Sequence, residues 1–245
     1  MSFDVIIPAR YASTRLPGKP LLDLGGMPLI KRVYHAAKQS PANQVIVATD
    51  DQRIADVVSA FGGDVVMTDP NHQSGTDRIA EVVEKRKISE DRILVNVQGD
   101  EPFVPAKLIE TVAINLQNHQ QAVMSTACHS IDKKEDVLDP NIVKVITDHN
   151  GHALYFSRSP IPYPRNEEFA DHFKHIGIYA YRAGFVAQYN QLTLSKIEKT
   201  ESLEQLRVLS NGFKISVQTI DYESGFGIDT EQDLEKARAY LASQK

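Results

Sequence analysis

The chain has 245 residues, 42% of them hydrophobic, one cysteine and a formal net charge of −5. A chain of this length buries enough surface to fold without a disulfide or metal staple, and one cysteine excludes an internal bridge. The acid excess argues against broad nucleic-acid binding, which needs surplus Lys and Arg; no apolar run approaches the ~18 residues of a membrane span, and Met1-Ser2-Phe3-Asp4 lacks a basic leader, so a cytoplasmic location is expected.

In chain order, Val5–Pro8, Gln44–Thr49, Asp64–Thr68 and Arg92–Gln98 are predicted strands. Between them Pro28–Ser40, Asp51–Phe61 and Thr76–Lys87, and after them Pro105–Asn118, carry apolar residues at helical spacing. Pro28 and Pro105 stand where a first helical turn tolerates proline, and Asp50-Asp51 supplies an N-cap. Alternating strand and helix over about the first 120 residues implies a mostly parallel sheet with helices on both faces, nucleotide-binding in type. Ala122–Cys128 reads as a strand with a buried, structural thiol at Cys128. Lys133-Lys134-Glu135-Asp136 is a solvated helix start.

The second half changes character. Val143–Thr147, the turn Asp148–Gly151 and His152–Phe156 predict a hairpin, and His175–Tyr181 another strand, so this half holds antiparallel strands. Pro160–Pro164 reads as an extended loop flanking a site. A helix over Glu201–Leu209 ended by Asn211-Gly212, a strand Lys214–Ile220 and a terminal helix after Asp229-Thr230 complete a single domain of about 1–120 and 121–245 halves.

Four polar constellations fall at predicted strand ends, where open α/β sheets bind ligands. After the first strand, Pro8-Ala9-Arg10 leads into a loop with Arg15, Gly18 and Lys19: three cations and no acid, which repel one another unless an anion screens them. A polyphosphate suits that loop, gripped by side chains as much as by amides, because no GxxxxGK[ST] motif is present. In Ser74-Gly75-Thr76-Asp77-Arg78, Ser74 or Thr76 can cap a helix, Gly75 admits a base or ribose and Arg78 adds a cation. In Gln98-Gly99-Asp100-Glu101-Pro102, Asp100 is placed to hold Mg²⁺ on phosphate oxygens, and Glu101 can orient or cap. Asp229, in Gly227-Ile228-Asp229-Thr230, either completes a carboxylate pair with Asp100 or caps the last helix.

The motifs Ile7-Pro8-Ala9-Arg10, Ser13–Pro20, Ser74–Arg78 and Asn96–Pro102 resemble those of the 3-deoxy-manno-octulosonate cytidylyltransferases, as do Ala153–Arg158, His175–Arg182, Leu203–Arg207 and Gly227–Thr230, nearly end to end. The resemblance implies a nucleotide-diphospho-sugar transferase type of fold, Rossmann-like with a smaller antiparallel layer. It implies a cytoplasmic, homodimeric, Mg²⁺-dependent enzyme that joins CTP to a keto-sugar acid (Kdo) for lipopolysaccharide synthesis. Carried over, Arg10, Arg15 and Lys19 hold the triphosphate. Ser74, Gly75, Thr76, Gln98 and Gly99 line the cytidine pocket; Asp100 and Asp229 bind the metal. Gln98, Arg158, His175, Tyr179, Glu204 and Gln205 meet the sugar. Among these, Arg158 suits the sugar carboxylate because a guanidinium can bind it with two parallel hydrogen bonds, and Tyr179 falls on the same strand face as His175. The segment between Arg165 and His175 is short for such enzymes. A cytidylyltransferase for another sugar acid, or a non-catalytic nucleotide-binding protein, are the competing readings.

Overall fold

A computed structural model describes residues 2–12, 16–72, 74–165 and 170–244. The chain gathers into two compact units, Met1–Glu110 with Arg182–Tyr189 and Ser224–Lys245, and Thr111–Tyr181 with Asn190–Glu223. The division falls inside helix α4 (Ala106–Asn118), and the segment from Ser224 onward belongs with the N-terminal strands.

In the first unit β1 (Phe3–Ala9) lies between β2 (Gln44–Thr49) and β4 (Ile93–Asn96), with β3 (Asp64–Met67) outside β2, all parallel. Every residue of β1 is buried, the pattern expected of a parallel strand covered on both faces. Helices α1 (Leu29–Lys38), α2 (Gln52–Ala60) and α3 (Gly75–Arg86) follow the order expected from apolar spacing, and α9 (Glu231–Ser243) closes the chain. Their starts are chemically specified. Asp51 caps α2 by accepting from the Arg53 amide, and Ser74 with Asp77, then Thr230 with Asp233, form capping boxes on α3 and α9. A short helix at Ala183–Tyr189, α6 below, was not foreseen; its amide entry bonds, Ala183 to Arg92 O and Gly184 to Glu90 O, are tertiary.

In the second unit β5 (Ala122–Ser130) pairs antiparallel with β8 (Phe173–Arg182) and parallel with β9 (Lys214–Ile220). The hairpin is present as β6 (Lys144–Thr147) and β7 (Ala153–Ser157), its turn pinned by Asp148 Oδ1 accepting from the Asn150 and His152 amides. Short α5 (Lys134–Leu138) starts where the charge run predicts. The single helix expected over Glu201–Leu209 is instead two, α7 (Lys196–Glu201) and α8 (Gln205–Ser210). Ser202 is left-handed at φ 52, and the Leu203 amide turns back to Glu198 O, a helix stop that apolar periodicity does not reveal. Buried Cys128 lies 3.4 Å from Thr219 Oγ1, and burial raises its thiol pKa, so it is a packing residue. No helix among the described residues is long and apolar enough to cross a membrane.

Candidate active site

In the first unit the chain leaves β1 through Pro8, Ala9 and exposed Arg10. The loop is closed where the Gly18 amide donates to Tyr11 O at 3.1 Å, and a 3-10 turn over Lys19–Leu21 then delivers Lys19. Arg15 lies outside the described residues. Arg53, missed in the sequence, stacks its guanidinium 3.4 Å from the centre of the Tyr11 ring, a cation–π contact.

Lys19 does not wait for an external anion. Its Nζ donates to Asp100 Oδ2 at 2.6 Å, to Ile228 O at 2.9 Å and to Asp229 Oδ1 at 3.0 Å. Burial alone would lower its pKa, but the hydrogen bonds and charges of Asp100 and Asp229 outweigh that and keep the ammonium firmly protonated. The screening that the sequence assigned to a polyphosphate is thus supplied, for Lys19, by the protein's own carboxylates. Two distant segments meet here because the Ile228 amide donates to Asp100 O at 2.9 Å and the Ile228 side chain is fully buried. Asp229 is not the cap of α9, since Thr230 takes that part; its carboxylate is left to the cluster. Glu101 caps no helix either but sits in a turn, and burial, then the neighbouring Asp100 and Asp229 charges, push its carboxyl up to about 8.

The floor of this site is tight. A Cβ on Gly99 would stand 2.8 Å from Pro8 O and 3.3 Å from Ala9 Cβ, so only glycine lets the loop after β4 lie against the end of β1. Gly75 is 3.3 Å from Pro8 Cγ and 3.8 Å from Gln98 Nε2 on the same construction. Pro8, Ala9, Gly75, Gln98 and Gly99 therefore converge, with Ser74 and buried Thr76 on the first turn of α3. Arg78 needs correcting. It lies further along α3, 3% exposed, with its guanidinium on Asp50 Oδ2 at 3.0 Å and on Thr68 Oγ1. Desolvated and already paired, it ties α3 to Asp50 and Thr68, which follow β2 and β3, rather than adding a cation for phosphate. Glu81, also missed, binds His72 Nε2 at 2.6 Å and the Asp69 amide at 2.7 Å, fixing the loop that leads into Ser74.

Could this cluster hold a divalent cation? Asp100 and Asp229 offer hard oxygen donors converging on one point now held by an ammonium, the donor set that Mg²⁺ takes when the remaining positions go to phosphate and water. Among the described residues no group of three His, Cys, Asp or Glu surrounds a common metal position. The chain's residues fit an ion that arrives with its own phosphate ligands.

The second unit carries the other predicted set. Arg158 Nε donates to Glu201 O at 2.7 Å and Nη1 to Pro140 O at 2.9 Å. Two of five guanidinium donors are thus spent fixing its plane, and among the described residues the rest meet no acceptor and can take a carboxylate. Its backbone is held at both ends, the amide by the Glu201 carboxylate at 2.9 Å and the carbonyl by Lys144 Nζ at 2.6 Å. Lys144 is fully buried and also donates to Asp139 O and Ile142 O; sequence reasoning missed it because nothing in the strand pattern announces a buried lysine. Glu204 and Gln205 occupy the N-cap and first positions of α8, the helix start needed for two adjacent side chains to serve one ligand. Arg207 makes a forked pair with Glu198, at 2.6 and 3.0 Å to its two oxygens.

His175 packs its ring 4.9 Å from Phe156 and 5.4 Å from Tyr179, so the pair expected on one strand face is adjacent. Its Nε2 is 2.9 Å from Thr126 Oγ1, whose single proton points to the Ile176 and Ile178 carbonyls. With the one Thr126 proton given to either carbonyl, the histidine donates through Nε2 and leaves Nδ1 as an acceptor. Burial holds its pKa down, at about 3 against 6.5. Between those values the unfolded chain binds a proton that the folded protein refuses, so stability falls as pH falls below 6.5. Relative to His175→Gln, the wild-type melting temperature should drop progressively in thermal melts from about pH 7.5 to about 5. A constant gap would show the ring protonating as easily folded as unfolded.

The chain is similar to several known proteins. The cytidylyltransferase family matches residues 5–215. A 3-deoxy-manno-octulosonate cytidylyltransferase of Aliivibrio fischeri is 55% identical, covering 99% of this chain and 100% of its own. One from Vibrio vulnificus is 52% identical with full coverage of both. The solved structure of CMP:2-keto-3-deoxy-manno-octonic acid synthetase complexed with CTP superposes with a TM-score of 0.93 at 45% identity, covering 100% of this chain and 99% of that one.

Proposed function

We propose, from the premise that this chain belongs to the 3-deoxy-manno-octulosonate cytidylyltransferase family, that it transfers the cytidylyl group of CTP to 3-deoxy-D-manno-octulosonate, giving CMP-Kdo and pyrophosphate for lipopolysaccharide synthesis. The observation that supports it best is the meeting of Lys19, Asp100 and Asp229 where the loop after β4 lies against the end of β1, the place for a nucleotide phosphate beside a parallel sheet.

In the reaction the anomeric hydroxyl of the sugar attacks the α-phosphorus, the bond to pyrophosphate breaks, and the hydroxyl proton leaves to solvent or a nearby carboxylate. Little covalent work falls to the protein; positioning and charge stabilisation do most of it. Arg10, Arg15 and Lys19 hold the triphosphate, and Ser74, Gly75, Thr76, Gln98 and Gly99 receive the cytidine. Arg158, its plane set by Glu201 and Pro140 carbonyls, takes the sugar carboxylate. His175, neutral at ordinary pH, does not compete for that charge and offers Nδ1 to a hydroxyl; Tyr179, Glu204 and Gln205 of the same unit serve the sugar with it, and Gln98 is assigned to both substrates. Asp100 and Asp229 would hold Mg²⁺, which when bound neutralises phosphate charge and polarises the attacked centre. Holding both reactants in near-attack geometry can supply about 7–11 kcal/mol of the barrier.

The same reading makes the enzyme cytoplasmic and homodimeric, the latter checked by sedimentation. Pyrophosphate release should be seen with CTP among the four NTPs, and with Kdo above 8-amino-Kdo and sialic acid. A preference for another acid moves the assignment within the superfamily. Tight CTP binding without turnover on any acid makes the protein a nucleotide-binding one without chemistry.

A further inference from the structure

We propose that Lys19 occupies the divalent-cation position of the nucleotide-free protein, holding Asp100 and Asp229 together, and yields it only when metal and triphosphate arrive jointly. This rests on reading those aspartates as the metal carboxylates. The ammonium uses all three of its donors on three oxygens, Asp100 Oδ2 at 2.6 Å, Ile228 O at 2.9 Å and Asp229 Oδ1 at 3.0 Å. These are the oxygen types that a hard cation selects. A metal ion seated on the same two oxygens, Asp100 Oδ2 and Asp229 Oδ1, would stand against the ammonium with like charge, so at that position it must expel the ammonium or stay out.

Expulsion is unequal with and without nucleotide. The Lys19 side chain is 12% exposed, and without another anion its displaced charge would sit poorly solvated at the end of the loop after β1. With a triphosphate present the ammonium has a new partner within reach of its flexible four-carbon stem. Metal ion and nucleotide then each strengthen the binding of the other, by the same factor in both directions, as linkage requires. Joint loading follows: free Mg²⁺ does not hold the site in a nonproductive state, and the two carboxylates do not repel each other while they wait.

Mn²⁺ binding, counted by electron paramagnetic resonance on the intact protein, tests this with Asp100→Asn as the blank. Without nucleotide, wild type should bind Mn²⁺ weakly and Lys19→Met at least about tenfold more tightly, within the usual range of such couplings. Lys19→Gln, whose amide keeps one donor toward the carboxylates, should move the same way and serves if the Met variant does not fold. With CTP added, wild type should gain protein-bound Mn²⁺ above the blank. Equal Mn²⁺ affinity of wild type and both Lys19 variants without CTP overturns the proposal while leaving the metal role of the aspartates intact. No protein-bound Mn²⁺ in any variant, with or without CTP, overturns the metal reading itself.

Discussion

Asp100→Asn should lower kcat by at least about 10²–10³-fold, the loss typical of removing one preorganised contact to developing charge, in a protein that still folds. The substitution keeps the shape of the side chain, removes its charge and turns one acceptor oxygen into an NH2 donor. What Asp100 contributes to architecture comes from its main chain, because Asp100 O accepts from the Ile228 amide at 2.9 Å whatever side chain is present. What its carboxylate contributes is the 2.6 Å pair with Lys19 and, on the reading above, the tighter half of the metal grip. Asp229 is less enclosed, its side chain 64% exposed against 31% for Asp100, so solvent screens its charge more and Asp229→Asn should cost less. Pyrophosphate release at saturating CTP, Kdo and Mg²⁺, with circular dichroism as the folding check, measures both. Undiminished turnover in Asp100→Asn at saturating Mg²⁺ would remove the carboxylate from the chemistry.

The sequence announced the strands and the helix starts of the first unit because each has a local signature. A continuous apolar run marks β1, and the side chains of Asp51 and Ser74 cap helices within three residues of themselves. Partners far along the chain leave no such mark. Lys19 bonds to residues 81 and 210 positions away, and composition alone could not say whether its charge faced substrate or protein. Arg78 shows the same blind spot from the other side: a cation beside a glycine-rich turn looks like a phosphate ligand until Asp50 and Thr68 are seen to engage it. Lys144 and Glu201 were invisible for a related reason, since they act on backbone groups, and periodicity reports which face is buried rather than which carbonyl lies there. The break between α7 and α8 depends on one residue adopting φ 52 without being glycine, a choice made by packing and not by propensity.

Gly225→Ala should be the most damaging single-methyl change near the site. Gly225 has φ +78, and a Cβ there would fall 2.3 Å from Phe103 O and 2.8 Å from Phe103 C. Both atoms are backbone and cannot swing aside as a side-chain tip could. Adding the left-handed penalty of an L-residue to the cost of overpacking gives about 2–5 kcal/mol, a fall in melting temperature of roughly 4–20 °C for a chain of this size. Gly62 separates the two causes: its φ is +77, but nothing lies within 4 Å of its added Cβ, so Gly62→Ala should carry the conformational cost alone. The clash has a functional address as well. Phe103 stacks with Phe226 and Tyr240 at ring separations of 4.6 and 5.0 Å, so relief of the overlap must move the segment that leads through Ile228 to Asp229. Turnover in Gly225→Ala should therefore fall even at temperatures where the variant is folded, while Gly62→Ala keeps wild-type kcat. If the two variants melt together and turn over alike, the close approach at Phe103 contributes nothing, and the seating of Asp229 must rest on the burial and amide bond of Ile228.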